Sequence, residues 1–380
     1  MKTYRIGIIG FGMIGKVHAF CYAALPYYSE PFDATFQISH VATAHPETAE
    51  KAKQLCGAET ATTNFRNITE NPDIDIVHIC TPNNQHFEPL VSAIQNGKHI
   101  YCDKPLTTSL AEAEYLRNIL DTEKYTATNQ MTFHLRFFSA IQKAKRFIDA
   151  GQLGRIYQFR FSYLHSSNAS PLVPFKWKHS ESGGVVRDLA SHLLDLTDHL
   201  LGSLDSVLAE TQHAVQKRPV SESNPELVDV HAEDAVTILV KTRNGAHGIL
   251  EATKLATGNE DEMRFEINGE EGAIRFSLMN PHFLDFFDAT VSDKPLGGYS
   301  GWRQIPCGGR LERPETDFPS PKSTTGWVRA HVSCLSNFLH AVTQNRPASP
   351  DLLQGIKIDR WIDAVFRSAK TRTWVTIKNE

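Results

Sequence analysis

Residues 4–18 read YRIGIIGFGMIGKVH. An apolar run (Tyr4, Ile6, Ile8, Ile9) of buried-strand length leads into Gly10, Gly12 and Gly15, and then into a helical pattern. The glycine spacing is G-x-G-x-x-G, and each glycine has its own physical task. Gly10 permits a tight turn, Gly12 lets the backbone approach a pyrophosphate, and Gly15 lets the helix pack close to the strand. The helix N-terminus adds N–H groups and a positive dipole end. Strand, turn and helix follow in the required order, so the stretch predicts a dinucleotide site at Gly10, Phe11, Gly12, Met13 and Ile14.

Outward from this stretch, strands and helices alternate. Strands are expected at about 36–44, 75–80, 99–102 and 125–132, with a weak one before a short helix at 64–70. Helices are expected at about 47–55, 85–96 (ending at Gly97) and 109–122. The connection 22–35, with Pro26 and Pro31, reads as unusually long. The alternation predicts a doubly wound parallel sheet over residues 1–132, a Rossmann-type nucleotide domain. Asp33 has the right count for a ribose-binding acid but precedes the second strand, whereas the ribose contact comes from the strand's C-terminal end. That end reads Thr43-Ala44-His45-Pro46, without a carboxylate, so His45 or a backbone group faces the adenosine 2′-hydroxyl and NAD and NADP both remain open.

Beyond residue 132 the texture changes. A helix at about 135–150 precedes a strand at 155–164 that places Tyr157, Phe159, Phe161 and Tyr163 on one face. A Pro-containing loop with Lys176 and Trp177 leads to Gly183-Gly184 and a helix over 187–201. Long strands are expected at about 205–215, 229–243, 246–257, 261–268 and 272–278, with Asn244-Gly245 as a hairpin turn. Residues 291–325 read as a loop, followed by helices over 326–343 and 352–370 and a strand over 373–377. This predicts a second, α+β domain over 133–380 with a large, mostly antiparallel open sheet. Strands outnumber covering helices, so one sheet face is expected to be free for a homodimer or homotetramer.

Composition bounds the function. The 380 residues are 41% hydrophobic and 22% charged, with a formal net charge of −4, as in an ordinary soluble globular protein. Lys and Arg are scattered, which points away from nucleic acid. No apolar run reaches membrane-spanning length, and the first strand starts too early for a leader. Six well-separated cysteines without a C-x-x-C pair make the cytoplasm the economical expectation.

Two features could carry chemistry. Asp188 and His192 are four apart on one helix and project from the same side. A carboxylate beside an imidazole fixes a tautomer and raises basicity. Such a pair is also common as a satisfied polar rim, and a metal site from Asp188, His192, Asp195 and His199 is a third reading. Lys104 follows a strand end, where ligands of open parallel sheets bind. A lysine in a loop is otherwise a solvated charge. Tyr163, Lys176 and Trp177 are candidate pocket-wall residues, against a core reading for the aromatic ones.

Four segments in order, GFGMIGKVH at 10–18, TPNNQH at 81–86, DKP at 103–105 and GGVVRDLASHLLD at 183–195, resemble the Gfo/Idh/MocA oxidoreductases. That family includes glucose–fructose oxidoreductase and inositol 2-dehydrogenase, and the resemblance covers nearly the whole chain. It implies that Lys104 matches the lysine of the family's E-K-P motif and that Asp188 and His192 match its D-x-x-x-H motif. It also implies nucleotide contacts from Thr81, Pro82, Asn83, His86, Asp103 and Lys104, and substrate contacts from Lys104, His134, Asp188 and His192, beside the pocket-wall candidates Tyr163, Lys176 and Trp177. Asp103 stands where Glu is usual, and His134 where many members carry Asn. The connection at 22–35 and the Pro-rich loop resemble a levoglucosan dehydrogenase-like subgroup.

The implied reaction is hydride transfer between a secondary hydroxyl of a sugar or cyclitol and NAD or NADP. His192 acts as base, Asp188 orients it, and Lys104 donates to the reacting oxygen. The rivals are a redox-cycling glycosidase or isomerase of the same fold and a non-catalytic nucleotide sensor.

Overall fold

A computed structural model of the chain describes residues 1–378, which divide into two compact units. The first comprises residues 1–137, 311–320 and 326–360, and the second the remainder of the described chain. A single cut after residue 132 does not capture this division. The helix Trp327–Thr343 returns to the first unit because Val332, Leu335, Phe338 and Leu339 share a core with Tyr4, Ile6 and Ile8.

The first unit holds β1 (Lys2–Ile9), β2 (Ala34–Ala42), β3 (Thr60–Thr62), β4 (Ile76–Ile79), β5 (His99–Cys102) and β6 (Asn129–Met131). They form one parallel sheet in the order β3-β2-β1-β4-β5-β6. Its helices are α1 (Met13–Tyr28), α2 (Pro46–Cys56), α3 (Arg66–Thr69), α4 (Phe87–Gln95) and α5 (Leu110–Thr122). β4 is buried along its whole length, as a strand covered on both faces must be. The strand order reverses between β1 and β4, which opens a ligand crevice at their carboxyl ends.

The expected long connection at 22–35 is half helix, since α1 runs through Pro26 to Tyr28. Cys21, Ala24 and Leu25 are buried in the core that includes the helix Trp327–Thr343. Burying that face outweighs the missing Pro26 N–H one turn before the helix ends.

The second unit contains β7 (Ile156–Leu164), β8 (Leu204–Gln212), β9 (Lys217–Pro219), β10 (Leu227–Asp229), β11 (Ala235–Thr242) and β12 (His247–Thr253). The chain continues through β13 (Glu262–Gly269), β14 (Gly272–Ser277), β15 (Phe283–Asp288), β16 (Trp302–Pro306) and β17 (Val375–Thr376). Nine of these form a sheet in the order β16-β15-β14-β13-β7-β12-β11-β8-β17, antiparallel except where β7 meets β12. β9 and β10 form a separate ribbon.

Helices α6 (Ser139–Asp149) and α7 (Ser191–Leu201) contact β7, β14 and β15 of this sheet. Burial alternates along the strands: Val236, Ile238 and Val240 are buried on β11, while Thr237 and Leu239 are exposed. The exposed face carries Leu239 and Ile249 among Arg160, Glu251, Arg264 and Arg275, so it is charged more than apolar.

The strand expected at 229–243 is broken into β10 and β11. In the break, Asp234 turns in and accepts the N–H groups of Ala214 and Val215 at 3.1 Å each. The loop expected at 291–325 contains β16, and β15 precedes it unforeseen. Neither shows a clear buried–exposed alternation that a sequence pattern could reveal. No described helix is long and apolar enough to cross a membrane, and the six cysteines are free thiols.

Candidate active site

The three glycines after β1 are required for different reasons. Gly10 has φ +87°, and a Cβ there would lie 2.6 Å from the Cys80 carbonyl. A Cβ at Gly15 would lie 2.3 Å from the Gly10 carbonyl oxygen. Gly12 differs: it is the N-cap of α1 with φ −72°, and a Cβ there would meet nothing within 4 Å. Nothing in the protein itself demands glycine at 12. A bare backbone at an uncapped helix N-terminus is what close approach of an anion requires. Met13 beside it is exposed, while Phe11 and Ile14 pack partly against the core.

Other loops after the parallel strands complete this end of the sheet. Thr81 follows β4, and its Oγ1 is buried with no hydrogen-bond partner among the described residues. An orphaned hydroxyl beside the glycine turn fits a ligand that supplies the missing partner. Pro82 leads into a short turn with buried Asn83. His86 is fully buried, its Nδ1 2.9 Å from the Pro105 carbonyl and its Nε2 2.9 Å from that of Thr81. It ties the loop after β4 to the loop after β5.

Asp103 follows β5 and accepts the Thr132 hydroxyl at 2.6 Å, which anchors the loop that carries Lys104. His45 lies exposed beyond β2 as the N-cap of α2, and Asp33 precedes β2. His134 is buried, stacked on His331 at 4.0 Å and set edge-on to Trp327 at 5.4 Å.

In the second unit, Asp188 lies in a π-helical stretch, Val186–Ala190, that runs into α7, and His192 is the second residue of α7. The backbone before them is close to two partners. A Cβ on Gly183 would collide with the Lys178 main chain, and one on Gly184, at φ +88°, with the Glu233 carboxylate. Glu233 accepts the Val186 N–H at 2.7 Å, and burial raises its pKa. The glycines therefore let the entry to the helix fit between Lys178 and Glu233.

The Asp188 carboxylate accepts from Lys178 Nζ at 3.0 and 2.9 Å and from Lys254 Nζ at 2.7 Å. Neither lysine was legible as a partner of Asp188, because no local spacing links position 188 to 178 or 254. His192 is buried, with the Tyr163 ring centroid 5.9 Å away. Tyr163 is buried too, its hydroxyl bonded to Asp261, which also pairs with His165 Nε2 at 2.8 Å. Tyr163 is thus a buried residue that also lies beside His192. Lys176 and Trp177 are exposed at the start of the turn that carries Lys178.

The loop leading to that turn is held by a buried guanidinium. Arg218, fully buried on β9, donates to the carbonyls of Asn168, Ser170 and Val173 at 2.8, 2.9 and 3.3 Å. Among the described residues no three His, Cys, Asp or Glu side chains form a metal-holding cluster.

Known proteins carry the same two-part arrangement. Residues 4–130 match the NAD-binding Rossmann fold of one oxidoreductase family, and residues 145–377 match its C-terminal alpha/beta domain. The chain belongs to the Gfo/Idh/MocA oxidoreductase family. Levoglucosan dehydrogenase of Pseudarthrobacter phenanthrenivorans is 30% identical over 391 residues, covering 99% of each chain. Inositol 2-dehydrogenase of Rhizobium meliloti is 26% identical over 379 residues, again covering 99% of each. A solved structure of levoglucosan dehydrogenase in complex with NADH and levoglucosan matches with a TM-score of 0.92 at 29% identity, over 100% of both chains. Membership in this Gfo/Idh/MocA family makes the chain an oxidoreductase whose cofactor is NAD or NADP.

Proposed function

We propose that this protein is an NAD(P)-dependent dehydrogenase acting on a secondary hydroxyl of a sugar, anhydrosugar or cyclitol. The observation that carries the reading is the Asp188–His192 pair, a carboxylate held by two lysines one helical turn from a buried imidazole. The bare Gly12 and the orphaned Thr81 hydroxyl fit a dinucleotide on the first unit. Bound NAD(P) supplies the hydride acceptor at its nicotinamide.

The chain's residues do the rest. His192 takes the hydroxyl proton as general base, and Asp188 favours the imidazolium that forms and accepts from a neighbouring substrate hydroxyl. Lys104, on the first unit, has the role of donor to the reacting oxygen as negative charge develops. Lys176 and Trp177 belong to the substrate wall, and Trp177 offers an exposed ring of the kind that stacks on sugar faces. His134 acts by shaping its surroundings, since it is buried in a stack with His331.

We assign the charged sheet face of the second unit to a homodimer or homotetramer contact. Its Arg275–Glu266 pair at 2.9 Å and exposed Leu239 and Ile249 fit a polar, partly apolar interface. The reading as an enzyme is tested by following nucleotide reduction over free sugars, anhydrosugars and inositols. Net reduction with one of these supports it, and none with any of them opposes it.

A further inference from the structure

We infer that Lys254 is a positioning residue for this reaction, holding the Asp188 carboxylate in the orientation and charge state that the chemistry uses. The inference rests on the reading of Asp188 as a member of the reacting site.

Lys254 directly follows β12, where its main chain is held on both sides. Its N–H donates to the Asp234 carbonyl at 2.9 Å, and its own carbonyl accepts from the Asn168 N–H at 2.9 Å. The adjacent ends of β7 and β12 are joined by the His165 N–H and the Thr253 carbonyl. The Lys254 side chain is 7% exposed, and a buried ammonium is costly unless an anion faces it. That anion is Asp188 Oδ2, at 2.7 Å.

Asp188 needs such a hold because of where it sits. Its backbone is in the π-helical stretch, the widened turn that proteins use at functional sites. Lys178 also reaches both carboxylate oxygens, but its side chain is 40% exposed and it rides on a short turn. The two cations are therefore unequal. Lys254 is the rigid, desolvated contact that fixes the carboxylate, and Lys178 is a solvated one that adds charge.

The test is a double-mutant cycle on turnover, with the sugar or inositol giving the fastest rate and saturating nucleotide. Lys254→Met should lower turnover roughly ten- to hundredfold, the scale of a misplaced reacting group, with nucleotide affinity unchanged. Lys178→Met should cost about threefold or less. In an Asp188→Asn background, Lys254→Met should change turnover by no more than about threefold, because its route of action is already gone.

If the two effects multiply instead, or if folded Lys254→Met turns over normally, Lys254 does not act through Asp188 and the inference falls. Should Lys254→Met alone fail to fold, the double variant lacks both buried charges, and its comparison with Asp188→Asn still decides. Normal turnover in Asp188→Asn itself would instead overturn the reading of Asp188, a distinct result.

Discussion

Replacing Gly12 by valine should separate nucleotide binding from folding. At φ −72° valine meets no backbone strain, and its Cβ would contact nothing within 4 Å in the protein. The cost to the nucleotide-free fold is that of a poorer N-cap residue, about 1 kcal/mol or less. The side chain would instead occupy the approach to the α1 N-terminus. Losing two backbone N–H bonds to a charged phosphate, at about 1.5–3 kcal/mol each, weakens binding by about 3 kcal/mol or more. That corresponds to a hundredfold or greater rise in Kd, roughly.

Gly10→Ala and Gly15→Ala serve as contrasts. Each places a Cβ within 2.6 Å of backbone, so both should lose stability, by about 2 kcal/mol or more. The assays are calorimetric titration with NADH and with NADPH, and urea unfolding of the nucleotide-free protein. If Gly12→Val bound nucleotide within threefold of wild type (about 0.6 kcal/mol), or unfolded as easily as Gly10→Ala, the assignment of this turn would be wrong.

Three other outcomes are expected. With no acid at 43–46 and His45 exposed there, Kd for NAD and NADP should differ by less than about a hundredfold, or 2.7 kcal/mol, in parallel titrations. Burial lowers the pKa of His18 from 6.5 to about 4, partly opposed by Asp103, so the unfolded chain binds a proton that the folded chain refuses between those values. His18 therefore adds no penalty above pH 6.5 and costs about 2 kcal/mol by pH 5, and His18→Gln should flatten the fall of urea midpoint over that range. Sedimentation should show a dimer or tetramer at micromolar concentration. Arg275→Glu, which breaks the Glu266 pair on the sheet face, should shift the protein toward monomer, and an unchanged profile would remove that face from the interface.

What could be read from the sequence was what is local. The G-x-G-x-x-G turn, the strand at 99–102 and the Asp188–His192 spacing all depend on neighbours a few residues apart. The continuation of α1 through Pro26 was hidden, since it depends on burying Ala24 and Leu25 in a core that also takes in the helix Trp327–Thr343, 300 positions away. β16 was hidden because a nearly all-exposed edge strand has no apolar signature. At the site, the Gly183-Gly184 pair is plain in the sequence, but not that Lys178 and Glu233 are the groups its backbone approaches. His86 sits in a motif segment, but its two carbonyl contacts, which brace the loops after β4 and β5, depend on Pro105 and could not be read from that segment. Lys254 is 66 positions from Asp188, and only the meeting of β12 with the π-helical stretch brings them together.

The central claim, net hydride transfer with His192 as base, is tested most directly by one comparison. Wild-type and His192→Ala proteins are followed for nucleotide reduction with the best substrate found among sugars, anhydrosugars and inositols. The wild type should accumulate reduced nucleotide over many turnovers. His192→Ala should do so about two to four orders of magnitude more slowly while binding nucleotide with unchanged affinity. Near-normal turnover in His192→Ala would place the base elsewhere. Substrate conversion without net reduced nucleotide, on protein carrying stoichiometric tightly held cofactor, would establish a redox-cycling enzyme instead.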